Sequence, residues 1–287
     1  MSFNPFKNSI LVPIDYSPES ENAILHAVVL SKKSNMPIVL LHIVKELELS
    51  RRTKTLIEDE HQKLAVLAEK LIKPEQIKVA TIVRFGDFSE IIGHTANEFQ
   101  MSMVVMATHG VKGMQYIKGS HALKIIENAR VPFTVVQGKK PNPNGFQRVV
   151  FPIDNESATK QKLVLVPQLN KLFNSTFHLL VEHNNDEFFD NIVKANLAFI
   201  QNYLKENNVK YELNYIDVST NLSDATIAYA NEIDADLIMI MVETSRTLLE
   251  IFTGKDEQEI ITNKFGIPVM CMNPTEIGNY VISSTFS

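Results

Sequence analysis

The residues best suited to chemistry are concentrated in one short stretch. Val104-Val-Met-Ala-Thr-His-Gly110 runs on as Val111-Lys-Gly113-Met-Gln-Tyr-Ile-Lys-Gly119-Ser120-His121, and three of the chain's ten glycines fall between Gly110 and Gly119. Glycines let backbone N–H groups approach an anion closely. A helix opening at Gly119-Ser120 would aim unpaired N–H groups and the positive end of its dipole at that anion. Lys112 and Lys118 offer added charge, and Asp15, which closes the apolar run Ile10-Leu-Val-Pro-Ile14, can accept a hydrogen bond from an amino group or a ribose hydroxyl. A phosphate-holding loop beside a carboxylate suits a nucleotide. The loop is not a Walker sequence, because no G-x-x-x-x-G-K-[ST] occurs, and it is not a dinucleotide fingerprint, because it follows the fourth apolar run and not the first. On its own such a loop also serves simply as a connection between elements.

Other constellations are weaker. The eight histidines are scattered without an H-E-x-x-H pair, and the nearest metal-like group is Glu182-His183-Asn-Asn-Asp186-Glu187 with His178, which reads more simply as a solvated loop. Neither a G-x-S-x-G elbow nor an S-G-G-x-D-S pyrophosphate loop is present, so acyl transfer and nucleotide synthesis lack their key residues. Arg51 to Lys63 carries mixed charge and reads as the solvated face of a helix. The methionines in apolar runs, Met101, Met103, Met106, Met239 and Met241 among them, read as core filler, and Cys271 within Ile267-Pro-Val-Met-Cys-Met272 as a buried, inert thiol.

The elements that must position the glycine loop come in two copies. Ile10-Leu-Val-Pro-Ile-Asp15 recurs as Val149-Val-Phe-Pro-Ile-Asp154, and Ile38-Val-Leu-Leu41 recurs at the same offset of 139 as Phe177-His-Leu-Leu180. Ala96-Asn-Glu-Phe99 and Val131-Pro-Phe-Thr-Val-Val136 likewise return as Ala230-Asn-Glu-Ile233 and Ile267-Pro-Val-Met-Cys-Met272. Four landmarks in one order describe a duplicated domain, with residues 1–139 and 146–280 joined by a polar Pro/Gly linker over 140–145. In the first copy, β-branched apolar runs predict strands at 9–14, 38–44, 78–84, 102–107 and 132–137, and helical periodicity predicts helices at 18–34, 54–72, 87–100 and 119–129. Ser17-Pro18 and Asp87 supply helix-opening signals. The second copy repeats the pattern, with strands near 147–153, 176–182, 209–216, 236–242 and 268–273. Strands apolar along their whole length and alternating with helices imply parallel sheets covered on both faces, hence two tandem open α/β domains of five strands each. Ligands of such sheets sit beyond the C-terminal strand ends, where the glycine loop falls.

Composition narrows the function further. With 28 Lys+Arg against 33 Asp+Glu the chain lacks the basic surplus that drives general nucleic-acid binding through counterion release. No apolar run reaches the roughly 20 residues a membrane span needs, and Met1-Ser-Phe-Asn-Pro-Phe-Lys7 lacks the pattern of a signal peptide, so the expected setting is the cytoplasm. One cysteine excludes an internal disulfide framework and every Cys-rich zinc motif.

Taken together, Ile10 to Asp15 with Ser17 following, Leu41-His-Ile-Val44, Ala107-Thr-His-Gly110 leading to Gly119-Ser120, and Ala129-Arg-Val-Pro-Phe-Thr-Val-Val136 resemble a tandem universal stress protein over nearly the whole chain. The resemblance implies a Rossmann-like, adenine nucleotide α-hydrolase-like sheet in each half. ATP-binding members carry G-x₂-G-x₉-G-[ST], and the carry-over by position makes Asp15 and Val44 adenine contacts, His109 and Gly110 ribose or phosphate contacts, and Gly119 and Ser120 phosphate contacts. Pro13, Ala107, Thr108, Gly113 and His121 complete the implied site. Two departures bear on it: Ala107 stands at the first glycine position, and eight residues, not nine, separate Gly110 from Gly119. The second copy keeps Asp154 but has Glu243 in the loop and, of the glycines, only Gly254, so it is expected to have lost nucleotide or to bind something else. The implied function is a stress-response module that holds ATP or AMP, with or without Mg²⁺, with at most slow hydrolysis. A nucleotide-free scaffold for an unidentified protein partner, and a slow ATPase or autophosphorylating protein with Ser120 as acceptor, are the alternatives. Single-domain dimers of the family further imply pairing through the last strands, between the two copies or between two chains.

Overall fold

A computed structural model describes residues 5–44, 53–108, 119–127, 129–182, 185–216, 220–242 and 255–273. The chain forms two compact units, the first running to Pro141 and the second beginning at Asn142, within the Pro/Gly stretch between the copies.

In unit 1 strands and helices alternate: β1 (Ile10–Ile14), α1 (Pro18–Ser34), β2 (Ile38–Val44), α2 (Thr53–Glu75), β3 (Val79–Phe85), α3 (Phe88–Glu98), β4 (Met103–Ala107), α4 (Gly119–Glu127) and β5 (Phe133–Val136). Every pairing is parallel and the strand order is β3-β2-β1-β4-β5. The chain therefore winds outward from β1 on one side and returns to build from β4 on the other, which puts the switch point between β1 and β4. Burial explains the composition of these strands. Ile10, Leu11, Val12, Ile38 to Leu41, Val104, Val105 and Met106 are all fully buried, as a sheet covered on both faces requires.

The caps follow the sequence signals. Ser17 opens α1 by accepting from the Ser20 amide with Pro18 in the first turn, and Asp87 opens α3 by accepting from the Ser89 amide. Asn35 ends α1 in the left-handed conformation. α4 starts at Gly119, where the sequence places it, and ends two residues early, at Glu127.

Unit 2 repeats the sheet with β6 (Arg148–Ile153), β7 (Thr176–Val181), β8 (Lys210–Tyr215), β9 (Leu237–Met241) and β10 (Val269–Met272), in the order β8-β7-β6-β9-β10, again parallel. Its helices differ at one point. The counterpart of the long α1 is a 3-10 helix, Ser157–Leu165, followed by a short α5 (Val166–Phe173). Pro167 sits in the first turn of α5, a place that suits a residue with no N–H and a fixed φ but that would break a continuous helix. α6 (Glu187–Glu206), α7 (Leu222–Glu232) and α8 (Lys255–Ile261) complete the unit. Among the described residues no helix is long and apolar enough to cross a membrane.

Candidate functional site

In unit 1 the switch point gathers several of the predicted residues. Pro13 lies in β1 in register with Leu41, and Asp15 follows directly on the strand. Val44 ends the neighbouring β2 and is 2% exposed, while Ala107 ends β4 on the other side of β1. Neighbouring strands lie about 5 Å apart, so the three strand ends form one rim. Asp15 accepts from both the amide (3.0 Å) and the hydroxyl (2.5 Å) of Ser17, so the carboxylate is fixed by the turn that starts α1. Thr108 ties the exit of β4 down by donating its amide to the Val136 carbonyl at 2.9 Å. Its hydroxyl is fully buried, without a hydrogen-bond partner among the described residues. Gly119, Ser120 and His121 form the first turn of α4, where helix N–H groups lack intrahelical partners. His109, Gly110 and Gly113 lie outside the described residues, as do Lys112 and Lys118.

Beside Asp15 stands a cluster that the sequence did not announce. Tyr16 has φ of 62°, a left-handed conformation that costs a bulky side chain about 1–2 kcal/mol and persists only where its surroundings hold it. They do so here: the Tyr16 hydroxyl donates to Glu60 Oε2 at 2.9 Å, and its ring centroid lies 4.8 Å from that of His42. His42 Nδ1 is 2.8 Å from the Ile14 carbonyl oxygen, which assigns the proton to Nδ1, and its Nε2 lies 3.4 Å from Glu60 Oε2. Lys63 donates to the other oxygen of Glu60 at 2.6 Å.

Within Arg51 to Lys63, then, Glu60 departs from the expected solvated face. It is buried, because Tyr16 and His42 from the strand ends reach up to it. Burial alone would raise its carboxyl, but the hydrogen bonds from Lys63 and Tyr16 and the nearby His42 outweigh that and hold it below the usual carboxylate range. The Tyr16 phenol is pushed up, first by burial and then by Glu60. Leu41-His-Ile-Val44 was legible as a motif. That it would meet Glu60, 18 residues further on, was not.

The corresponding rim of unit 2 has a different character. Asp154 follows β6 and accepts from the Glu156 amide at 3.0 Å, and Glu182 follows β7. Between these strand ends, the 3-10 helix and the starts of α7 and α8 lies a cavity of about 340 Å³. Carboxyl groups of Asp154, Glu156, Glu182, Asp256 and Glu257 line it, with Lys162 as the one basic residue among its described lining. Burial raises the Glu182 carboxyl, and Asp154 and Asp256 add to the rise. Glu243 and Gly254 lie outside the described residues. Of the metal-like group, His183 also lies outside the described residues. Asp186 caps α6 by accepting from the Phe188 amide, His178 contacts Tyr229 Oη at 3.2 Å and Glu212 at 3.4 Å, and no group of three His, Cys, Asp or Glu among the described residues is placed to hold a metal ion. Cys271 is fully buried, and burial pushes its thiol well above the usual range.

Comparison with known proteins places this geometry. Residues 7–137 match the model of the universal stress protein family. A universal stress protein from Archaeoglobus fulgidus DSM 4304 is similar in structure at 18% identity, with a TM-score of 0.73 over 93% of this chain and 97% of that one. A structure from Pseudomonas aeruginosa UCBPP-PA14 is 14% identical, with a TM-score of 0.63 over 98% of both chains. At these identities the likeness is one of fold, and it extends over both tandem α/β units. No curated protein sequence matches the chain.

Proposed function

From the match of residues 7–137 to the universal stress protein family we propose that unit 1 is a cytoplasmic stress-response module that binds an adenine nucleotide, ATP or AMP, with little or no turnover. The observation that carries the reading is the rim of adjoining strand ends at the switch point, where Asp15, Val44 and Ala107 stand together. Val44 offers the base an apolar wall and Asp15 an acceptor for its amino group or for a ribose hydroxyl. Gly110, Gly113 and the first turn of α4 at Gly119 and Ser120 supply backbone N–H groups for phosphates, with Lys112 and Lys118 near in sequence. The Thr108 hydroxyl, which has no partner among the described residues, adds a donor and acceptor at the end of β4. Asp15 is the one carboxylate among the residues of this site, so they offer no carboxylate pair to hold Mg²⁺ for fast phosphoryl transfer, and the role we assign is holding and sensing.

The test is calorimetric titration of the full chain with ATP and AMP, each with and without Mg²⁺, beside Asp15→Ala and Gly110→Val. Saturable binding that Gly110→Val abolishes is expected. No response in the wild type at millimolar ligand would refute the reading and leave a nucleotide-free scaffold. Labelled phosphate released faster by the wild type than by Ser120→Ala would replace holding with turnover at Ser120.

A further inference from the structure

Lys162 is the buried charge that a nucleotide-holding role leaves unused. It lies on the 3-10 helix Ser157–Leu165, and the tight turns that precede Pro167 bring its side chain back over the end of β6. The residue is 2% exposed, its Nζ donates to the Pro152 carbonyl at 2.5 Å, and the nitrogen sits 4.6 Å from the centroid of the Phe151 ring. Among the described residues it forms no ion pair. Withdrawing an ammonium from water costs several kcal/mol unless a partner of opposite charge offsets it, so this place gives the neutral amine a larger share than an exposed lysine has. Lys162 also lines the 340 Å³ cavity, room enough for a small organic molecule.

Among the described lining, the acidic groups are Asp154 from the end of β6, Glu156 ahead of the 3-10 helix, Glu182 from the end of β7, and Asp256 and Glu257 from α8, while α7 contributes the uncharged Asn221 and Ser223 and β9 the apolar Ile240 and Met241. This lining repels phosphates and carboxylates. It also makes proton exchange available. Burial brings the Lys162 ammonium down to about 8 against the pull of Asp154, while burial and neighbouring carboxylates raise Glu182. A base lowered and an acid raised on the walls of one cavity are a nucleophile and a proton donor.

We propose that the cavity of unit 2 captures small aldehydes or ketones, uncharged or cationic, as imines on Lys162, with Glu182 as the proton donor. The neutral Nζ attacks the carbonyl carbon. A C–N bond forms, the π pair of the carbonyl moves to oxygen, the oxygen takes the Glu182 proton, and the nitrogen returns one to Glu182, giving a carbinolamine. Glu182 then protonates the hydroxyl, water leaves as the nitrogen pair forms C=N, and the iminium gives its proton back to Glu182. One carbonyl compound and one amine become one imine and one water, and the acid is regenerated.

The experiment treats the full native chain with cyanoborohydride and either butanal, which is uncharged, or glyoxylate, which is anionic, and follows each lysine by peptide mass mapping. At neutral pH a group titrating at about 8 has roughly 10² times the neutral fraction of one at 10.5, so butanal is expected to label Lys162 about tenfold faster than the exposed lysines. The rate should rise as pH approaches 8, and Glu182→Gln should slow Lys162 while leaving the other lysines unchanged. Glyoxylate should show no such preference. Labelling of Lys162 only after unfolding in guanidinium chloride would overturn the proposal and make the residue a structural ammonium. Equal labelling of Lys162 by both aldehydes would overturn the charge selectivity.

Discussion

His26 makes unit 1 sensitive to mild acid. It lies on the buried face of α1, 2% exposed, with Nε2 3.0 Å from the Lys139 carbonyl oxygen and Nδ1 buried without a partner among the described residues. The Nε2 proton is therefore the one in use, and a second proton, on Nδ1, would be a buried, unsatisfied charge. Burial brings its pKa from 6.5 down to about 4, opposed by the Lys139 carbonyl and assisted by Lys140. The sign follows from the state that takes the proton first. Above 6.5 neither state is charged and nothing is lost. Between 6.5 and 4 the unfolded chain binds the proton and the folded chain does not, so stability falls as pH falls. From pH 7 to pH 5 the loss from this one group is about 2 kcal/mol, and it reaches about 3 kcal/mol below pH 4. His26→Gln keeps an N–H for the Lys139 carbonyl and removes the titration. Urea unfolding followed by far-UV circular dichroism, a fitting probe since the chain has no Trp, would compare the two proteins at both pH values. Subtracting one from the other cancels groups they share, His178 included. Hydrogen exchange of peptides spanning α1 and β5 places the effect in unit 1. A wild type that loses no more stability than His26→Gln between pH 7 and pH 5, or a His26 resonance titrating near 6.5, would refute the reasoning.

Two further predictions rest on local geometry. Tyr16→Phe deletes one of the hydrogen bonds that hold Glu60 below the usual carboxylate range, so the carboxyl should titrate closer to 4.5, read from its ¹³C resonance. Because the folded value is the depressed one, Glu60 stabilises unit 1 above pH 4.5 and that contribution fades as pH falls through the folded value, with less to lose in the variant; an unmoved resonance would show that Lys63 and His42 suffice. Gly145→Ala places a Cβ 2.2 Å from the Phe173 ring at a φ of +83°, so unit 2 should lose about 1–3 kcal/mol, and a melting temperature equal to the wild type's would mean that the turn and the ring shift freely.

Much of the fold was legible because the information is local. A strand buried on both faces must be apolar throughout, a helix must show its period within a few turns, and Ser17-Pro18 or Asp87 opens a helix through bonds two or three residues away. The duplicated Asp-ending strands likewise place Asp15 and Asp154 at strand ends without reference to the rest of the chain. Strand order was not local, and it alone puts β1 between β2 and β4, so that Val44 and Ala107 flank Asp15.

The fate of individual charges was decided last. In the sequence Glu60 is one acid in a mixed-charge helix and Lys162 one base in a polar stretch. Tyr16, 44 residues from Glu60, and the Pro152 carbonyl, 10 residues from Lys162, turn them into a buried carboxylate and a buried amine. Local patterning specifies two tandem α/β units and the residues at their strand ends. Which of the charges there keep their water is settled in three dimensions, because desolvation depends on neighbours that the chain brings together from a distance and no local pattern encodes them.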